Sequence, residues 1–201
     1  MTKLKNKRIF HLYTFPIIKK RHEKATKSGN VISYLIKAII PSIDFFKNIK
    51  FEDINSFEDL KNKKINQSHA TLLIDDFIGT GKTFNECVKE ISNVNNKFLK
   101  QASVLSLAIR KEALEKIEKK FTVYYSISIL KGISDFNSDE ESSYKKQVMK
   151  KIEGDLYSNL GDYSLGYDES ESLITLIRTP DNTFPIFWRP YKTKIKLKPP
   201  F

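Results

Sequence analysis

The sequence predicts an α/β fold on a central, mostly parallel sheet, followed by a small C-terminal α+β extension. Three observations carry that expectation. Residues 70–129 read as strand, helix, strand, helix, strand, an order that right-handed crossovers convert into a parallel sheet. The chain has 201 residues, enough for one such domain, and contains no internal repeat and no Gly/Ser linker that would divide it. After Lys131 the alternation stops and the chain turns polar, which marks the extension.

The elements follow from patterning. Residues 8–15 are aromatic and β-branched and read as a strand. Past the basic stretch 19–27 and Ser28-Gly29-Asn30, the residues Val31, Tyr34, Leu35 and Ala38 recur at helical spacing until Pro41. Ser56 before Phe57-Glu58-Asp59 marks a short helix start, and residues 61–67 read as a polar loop. Residues 70–74 are mostly apolar, as in a strand buried on both faces, and end at Asp75-Asp76 before a turn over 77–81. Phe84, Cys87, Val88, Ile91, Val94 and Phe98 then line one helix face. Residues 101–109 and 121–129 read as further strands around a charged helix over 111–120. In the extension, acids early and lysines late over 134–153 complement a helix dipole. Residues 154–168 read as a loop, and 173–177 and 184–188 as two strands around the turn at 179–182. The tail over 192–198 alternates Lys with Thr, Ile and Leu, as an edge strand would.

Composition removes several function classes. A single cysteine, Cys87, excludes an intramolecular disulfide framework and a multi-Cys zinc site, and suits a reducing, cytoplasmic compartment. His11, His22 and His69 are too scattered to suggest a metal cluster. No apolar run approaches the ~18 residues of a membrane span, so no membrane partner is expected. The 35 Lys and Arg against 24 Asp and Glu leave a net charge of +11, which favours nucleotides, nucleic acids or other anions as partners.

The segment with chemistry is Leu72-Leu73-Ile74-Asp75-Asp76-Phe77-Ile78-Gly79-Thr80-Gly81-Lys82-Thr83. Its Gly-Lys-Thr ending invites a phosphate-loop reading, but the first glycine of that motif falls on Asp76, whose carboxylate would repel the phosphates. Gly161 and Gly166 have the spacing but are followed by Tyr167. A dinucleotide fingerprint fails as well, because Phe84 stands where the third glycine belongs. Another chemistry fits each position. Two carboxylates at a strand end can accept hydrogen bonds from vicinal ribose hydroxyls, and the turn after them presents N–H groups and the hydroxyls of Thr80 and Thr83 to a 5′-phosphate at a helix N-terminus.

At these residues the chain resembles the type I phosphoribosyltransferases, whose signature is four hydrophobic residues, two acids, two variable residues and a Thr-Thr-Gly-Gly-Thr-like turn. Leu72 to Thr83 follow it without a gap, departing at Gly79, where Thr or Ala is usual, and at Lys82, where Gly is usual. The resemblance implies a three-layer fold in a single domain over 1–201, with a core over 1–131, the ribose-phosphate loop at 72–83, and the extension over 132–201 acting as a hood. It implies ribose-phosphate binding by Asp75, Asp76, Ile78, Gly79, Thr80, Gly81, Lys82 and Thr83, with Asp75 and Asp76 catalytic. Mg²⁺ would be held through the ligand near those two acids rather than by protein ligands alone. The one upstream candidate for a pyrophosphate loop is Lys27, Ser28, Gly29 and Asn30. Trp188 is a candidate for base stacking, against the simpler reading that Phe184, Ile186 and Trp188 alternate into a core. The string around Thr183 to Trp188 is also similar to phosphoribosyltransferase-like domains of prokaryotic conflict and defence systems.

Two functions follow from the resemblance. An enzyme would transfer a phosphoribosyl group between phosphoribosyl pyrophosphate (PRPP) and a nitrogenous base or other acceptor, as a defence effector if the tail resemblance holds. A non-catalytic module would sense nucleotides or bind nucleic acid on the same fold. Homodimerisation or membership of a larger complex is expected in either case.

Overall fold

The computed structural model describes residues 10–23, 28–176, 178–191 and 199. Its strands are β1 (His11–Pro16), β2 (Lys50–Asp53), β3 (His69–Ile78), β4 (Ala102–Arg110) and β5 (Thr122–Ile129). The helices are α1 (Ser28–Ile39), α2 (Phe57–Lys61), α3 (Lys82–Lys100), α4 (Lys111–Ile117) and α5 (Asp139–Leu156). The strands form one all-parallel sheet in the order β2-β1-β3-β4-β5.

Two hydrogen bonds fix the layers. Thr14 on β1 meets Ser33 of α1, Oγ1 to Oγ at 2.9 Å. Thr71 on β3 donates from Oγ1 to the Phe98 carbonyl of α3, also at 2.9 Å. Thr71 is in register with Tyr13, the neighbour of Thr14, and successive strand residues face opposite ways. Helices α1 and α3 therefore cover opposite faces, and the fold has three layers. The main core lies under α2, α3 and α4, with Phe15, Leu60, Leu73, Ile91, Phe98, Val104 and Ile109 fully buried. That explains the near-continuous apolar runs of β3 and β4.

Caps set the helix starts. Ser56 accepts the Asp59 N–H at α2, and Ser138 forms a capping box with Glu141 at α5. Near its C-terminal end α3 is interrupted at Asn95, whose backbone is non-helical. The Asn95 amide donates to the carbonyls of Leu60 and Lys63 at 2.8 and 2.9 Å and so fastens the end of α2 to α3.

Several boundaries differ from the sequence reading. β3 runs on through Asp75, Asp76, Phe77 and Ile78, so the turn is confined to residues 79–81. β2 lies between Pro41 and Ser56, where the sequence shows no strand pattern; it exists through pairing, with Phe51 beside Leu12. The polar helix starts at Asp139 and includes Gly154. Among the described residues the extension is helical and irregular rather than α+β. Its only β feature among the described residues is the bridge Ser172–Thr183, and Pro185–Phe187 forms a short 3-10 turn. Pro185 has no N–H for a ladder and suits the first position of such a turn. Ile133, Leu165 and Phe184 bury together as a second small core. The tail over 192–198 lies outside the described residues. No helix among those described is long and apolar enough to cross a membrane.

Candidate ribose-phosphate site

From β1 the chain moves to one side of the sheet, and from β3 it moves to the other. The carboxyl ends of β1 and β3 are therefore a topological switch point, the crevice where open parallel sheets receive ligands. Both helices that begin there do so in close contact. A Cβ on Gly29 would lie 2.7 Å from the Ile74 carbonyl oxygen and 3.0 Å from Pro16 Cβ, so only glycine lets α1 start this near β3. One residue earlier, Ser28 Oγ donates to Asp75 Oδ1 at 3.0 Å. Cys87 of α3 is fully buried and its thiol, 4.0 Å from the Pro16 carbonyl, is pushed up to about 12 by that burial. It packs the crevice floor and is no nucleophile.

Asp75 Oδ1 also accepts the Asp76 backbone N–H at 3.0 Å. Loss of water raises the Asp75 pKa well above the ordinary 3.8, and the neighbouring Asp76 carboxylate adds to the rise. Asp76 is 8% exposed and Ile78 3%. The turn then reaches Gly81, which holds φ = +79° as the residue before α3. The left-handed position is thus glycine, and Lys82 enters the first helical turn. Thr80 Oγ1 accepts the Lys82 N–H at 3.4 Å, and the Gly81 carbonyl accepts the Asn85 N–H at 2.9 Å. The first N–H groups of a 19-residue helix open toward the crevice end of β3. Two acids, a glycine turn and a helix start thus meet a second glycine-bearing helix start at one crevice.

A family model, PRTase-CE, matches residues 14–201. The chain belongs to the PRTase-CE family. It is thus a phosphoribosyltransferase-like protein, and the match reaches from β1 through the extension. No curated protein matches it.

In this PRTase-CE chain the extension lies directly on the turn at 79–81. A Cβ on Gly79 would fall 2.5 Å from the Asn182 side chain, which accounts for glycine where the signature has Thr or Ala. Lys82 Nζ pairs with Asp168 at 2.9 Å and lies 5.6 Å from the Tyr167 ring centroid. The Asp168 carboxylate holds the Lys82 pKa above its ordinary value. Asp168 has φ = +59° and sits among other left-handed residues at Leu165, Glu169 and Glu171, so the segment is strained. It is tied down by Lys150–Glu169 at 2.6 Å and Lys146–Glu171 at 3.0 Å, with Glu171 fully buried and bonded to the Ile133 and Ser134 N–H groups.

The remaining sequence candidates divide. Ser28 and Gly29 line the crevice, whereas the Asn30 amide donates to Asn55 at 3.0 Å. Lys27 lies outside the described residues. From the basic cluster, Lys19 pairs with Glu86 at 2.8 Å and Lys20 with Glu90 at 3.7 Å, both on α3. Trp188 donates from its indole N–H to the Thr183 carbonyl at 2.8 Å and sits edge-on to Tyr163. Tyr163 in turn neighbours Tyr167, so Tyr167 is the ring that meets Lys82. A cavity of about 310 Å³ opens beside β2, but Glu52, Asp53 and Asp59 in its wall make it unsuited to phosphate.

Sequence reasoning missed Asp168, Asn182 and Arg110. Arg110 ends β4, is 3% exposed, pairs with Glu112 at 3.0 Å, and leaves its buried Nε without a partner among the described residues. A buried donor without an acceptor is costly. Here it belongs to the strand next to β3, one residue past the Ile78–Ile109 pair. Only an unusual Arg at a strand end could have flagged it, and sequence alone does not say which strands are neighbours.

Proposed function

We propose that this chain binds PRPP at the β1–β3 switch point and transfers its phosphoribosyl group to a nitrogenous base or other acceptor. The observation that carries the reading is the Ser28–Asp75 hydrogen bond, which joins the start of α1 to the acids of β3 across one crevice. Asp75 and Asp76 accept the ribose hydroxyls. Thr80, Gly81, Lys82 and Thr83 hold the 5′-phosphate through N–H groups, hydroxyls and one ammonium. Ser28 and Gly29 face the pyrophosphate. In the reaction the C1–oxygen bond to pyrophosphate breaks, a C1–nitrogen bond to the acceptor forms, and positioning and charge stabilisation supply most of the acceleration. Arg110 ends the strand beside β3 and adds a buried cation at the same edge of the sheet.

The donor set suits Mg²⁺ held mainly by the ligand. Two adjacent hard carboxylates are present, Asp75 already shares an oxygen with Ser28, and no group of three or more metal-ligating side chains exists among the described residues. Mg²⁺ prefers one or two carboxylates plus substrate phosphates. Bound there, it would neutralise the departing pyrophosphate.

Pyrophosphate release from PRPP and Mg²⁺, measured across a panel of nucleobases, tests the activity. Base-dependent release is expected, and binding without any release would leave a nucleotide sensor. Replacing Asp168 by asparagine frees Lys82 for the phosphate and should tighten PRPP binding by up to about fivefold, the scale of an exposed ion pair. Weaker binding by that variant would mean that Asp168 orders the site instead of competing for it.

A further inference from the structure

We infer that the amino edge of the sheet, opposite the phosphoribosyl site, binds the phosphodiester backbone of a nucleic acid. In a parallel sheet the segments that lead into the strands share one edge. Three of these, 61–69 before β3, 96–101 before β4 and 116–121 before β5, together carry eight lysines against one carboxylate, Glu118. Pairing sets them side by side: Thr71 is in register with Ala102, and Ser103 with Thr122. Asn95 draws them closer, because its amide binds the carbonyls of Leu60 and Lys63 two residues before Lys97.

Lys63 is paired with Glu52. The other seven, Lys61, Lys64, Lys97, Lys100, Lys116, Lys119 and Lys120, are exposed, and none pairs with a carboxylate among the described residues. Helix dipoles account for part of this, since Lys61, Lys97, Lys100 and Lys116 lie in last turns. They do not account for Lys64, Lys119 and Lys120, which lie beyond the helix ends. A row of unpaired ammonium groups across three adjacent strand entries fits an extended polyanion better than a small one, because each lysine can take a separate phosphate. Lysine–phosphate contacts carry no sequence information, so binding should be salt-sensitive and indifferent to sequence.

Fluorescence anisotropy with a labelled single-stranded RNA and a labelled DNA duplex, each titrated from low to physiological salt, tests this. Wild type should bind with a steeply negative slope of log K against log salt, and the two probes show which backbone is preferred. Replacing Lys64, Lys100, Lys119 and Lys120 by glutamine should flatten the slope by about 3, at roughly 0.7–0.9 for each phosphate no longer neutralised. Replacing Lys37, Lys89, Lys145 and Lys151, exposed lysines elsewhere with the same total charge, should leave most of the slope in place. An Asp75→Asn/Asp76→Asn variant should bind nucleic acid as wild type does, which separates this surface from the PRPP reading. No binding by folded wild type overturns the inference, as would an equal loss in both lysine sets or competition by polyglutamate alone.

Discussion

Asp75→Asn should raise the melting temperature at neutral pH while removing PRPP binding. Burial and the Asp76 charge raise the Asp75 pKa, so the native state holds that proton more tightly than the unfolded chain does. The associated stability is complete below the ordinary value of 3.8 and is lost as pH rises through the higher native value. Asparagine keeps an oxygen for the Ser28 hydroxyl and the Asp76 N–H but carries no charge to bury. Relieving one poorly solvated group is worth on the order of 1–2 kcal/mol, a few degrees in a chain of this size. The gap between variant and wild type should open with rising pH and close in acid, as thermal melts across a pH series would record. A variant that melts below wild type at neutral pH would show that the ionised Asp75 supports the fold. Function runs the opposite way, because accepting two ribose hydroxyls requires the carboxylate. Affinity of wild type for PRPP should accordingly fall as pH drops below the native Asp75 value.

Gly29→Ala sets two effects of known sign against each other. Alanine favours a helix over glycine by about 1 kcal/mol. Its Cβ, however, would stand 2.7 Å from the Ile74 carbonyl oxygen and 3.0 Å from Pro16, and neither backbone-anchored neighbour can swing away. Overpacking of this kind costs about 1–3 kcal/mol and would push α1 off the crevice, separating Ser28 from Asp75. A lower melting temperature together with loss of PRPP binding is expected, whereas Val31→Ala on the exposed side of the same helix should leave binding intact. A stabilised Gly29→Ala variant with normal binding would contradict the close approach of the two loops.

How much of the fold and the site is legible in the sequence follows from where each interaction is encoded. The unit from β3 to α3 is readable because a buried strand, two acids, a glycine turn and an amphipathic helix are local patterns, and the signature falls on them. β2 is not, because four residues with Phe51 as their single apolar side chain become a strand only beside β1. The strands expected over 173–177 and 184–188 fail for a related reason. Over 184–188 Phe184, Ile186 and Phe187 fill the small core with Ile133 and Leu165, and Pro185 cannot join a ladder, while Leu173 in the other segment is exposed. Asp168 on Lys82 and Asn182 on Gly79 span 86 and 103 positions, and no short-range pattern announces contacts of that separation. The two departures from the signature point at them nevertheless: Gly79 makes room for Asn182, and Lys82 finds Asp168.

The most direct test of the account is isothermal titration of PRPP with Mg²⁺ into wild type and into Asp75→Asn/Asp76→Asn. Saturable binding at one site per chain, lost in the folded double variant, is expected. Equal binding by both proteins, or none by a folded wild type, would contradict it.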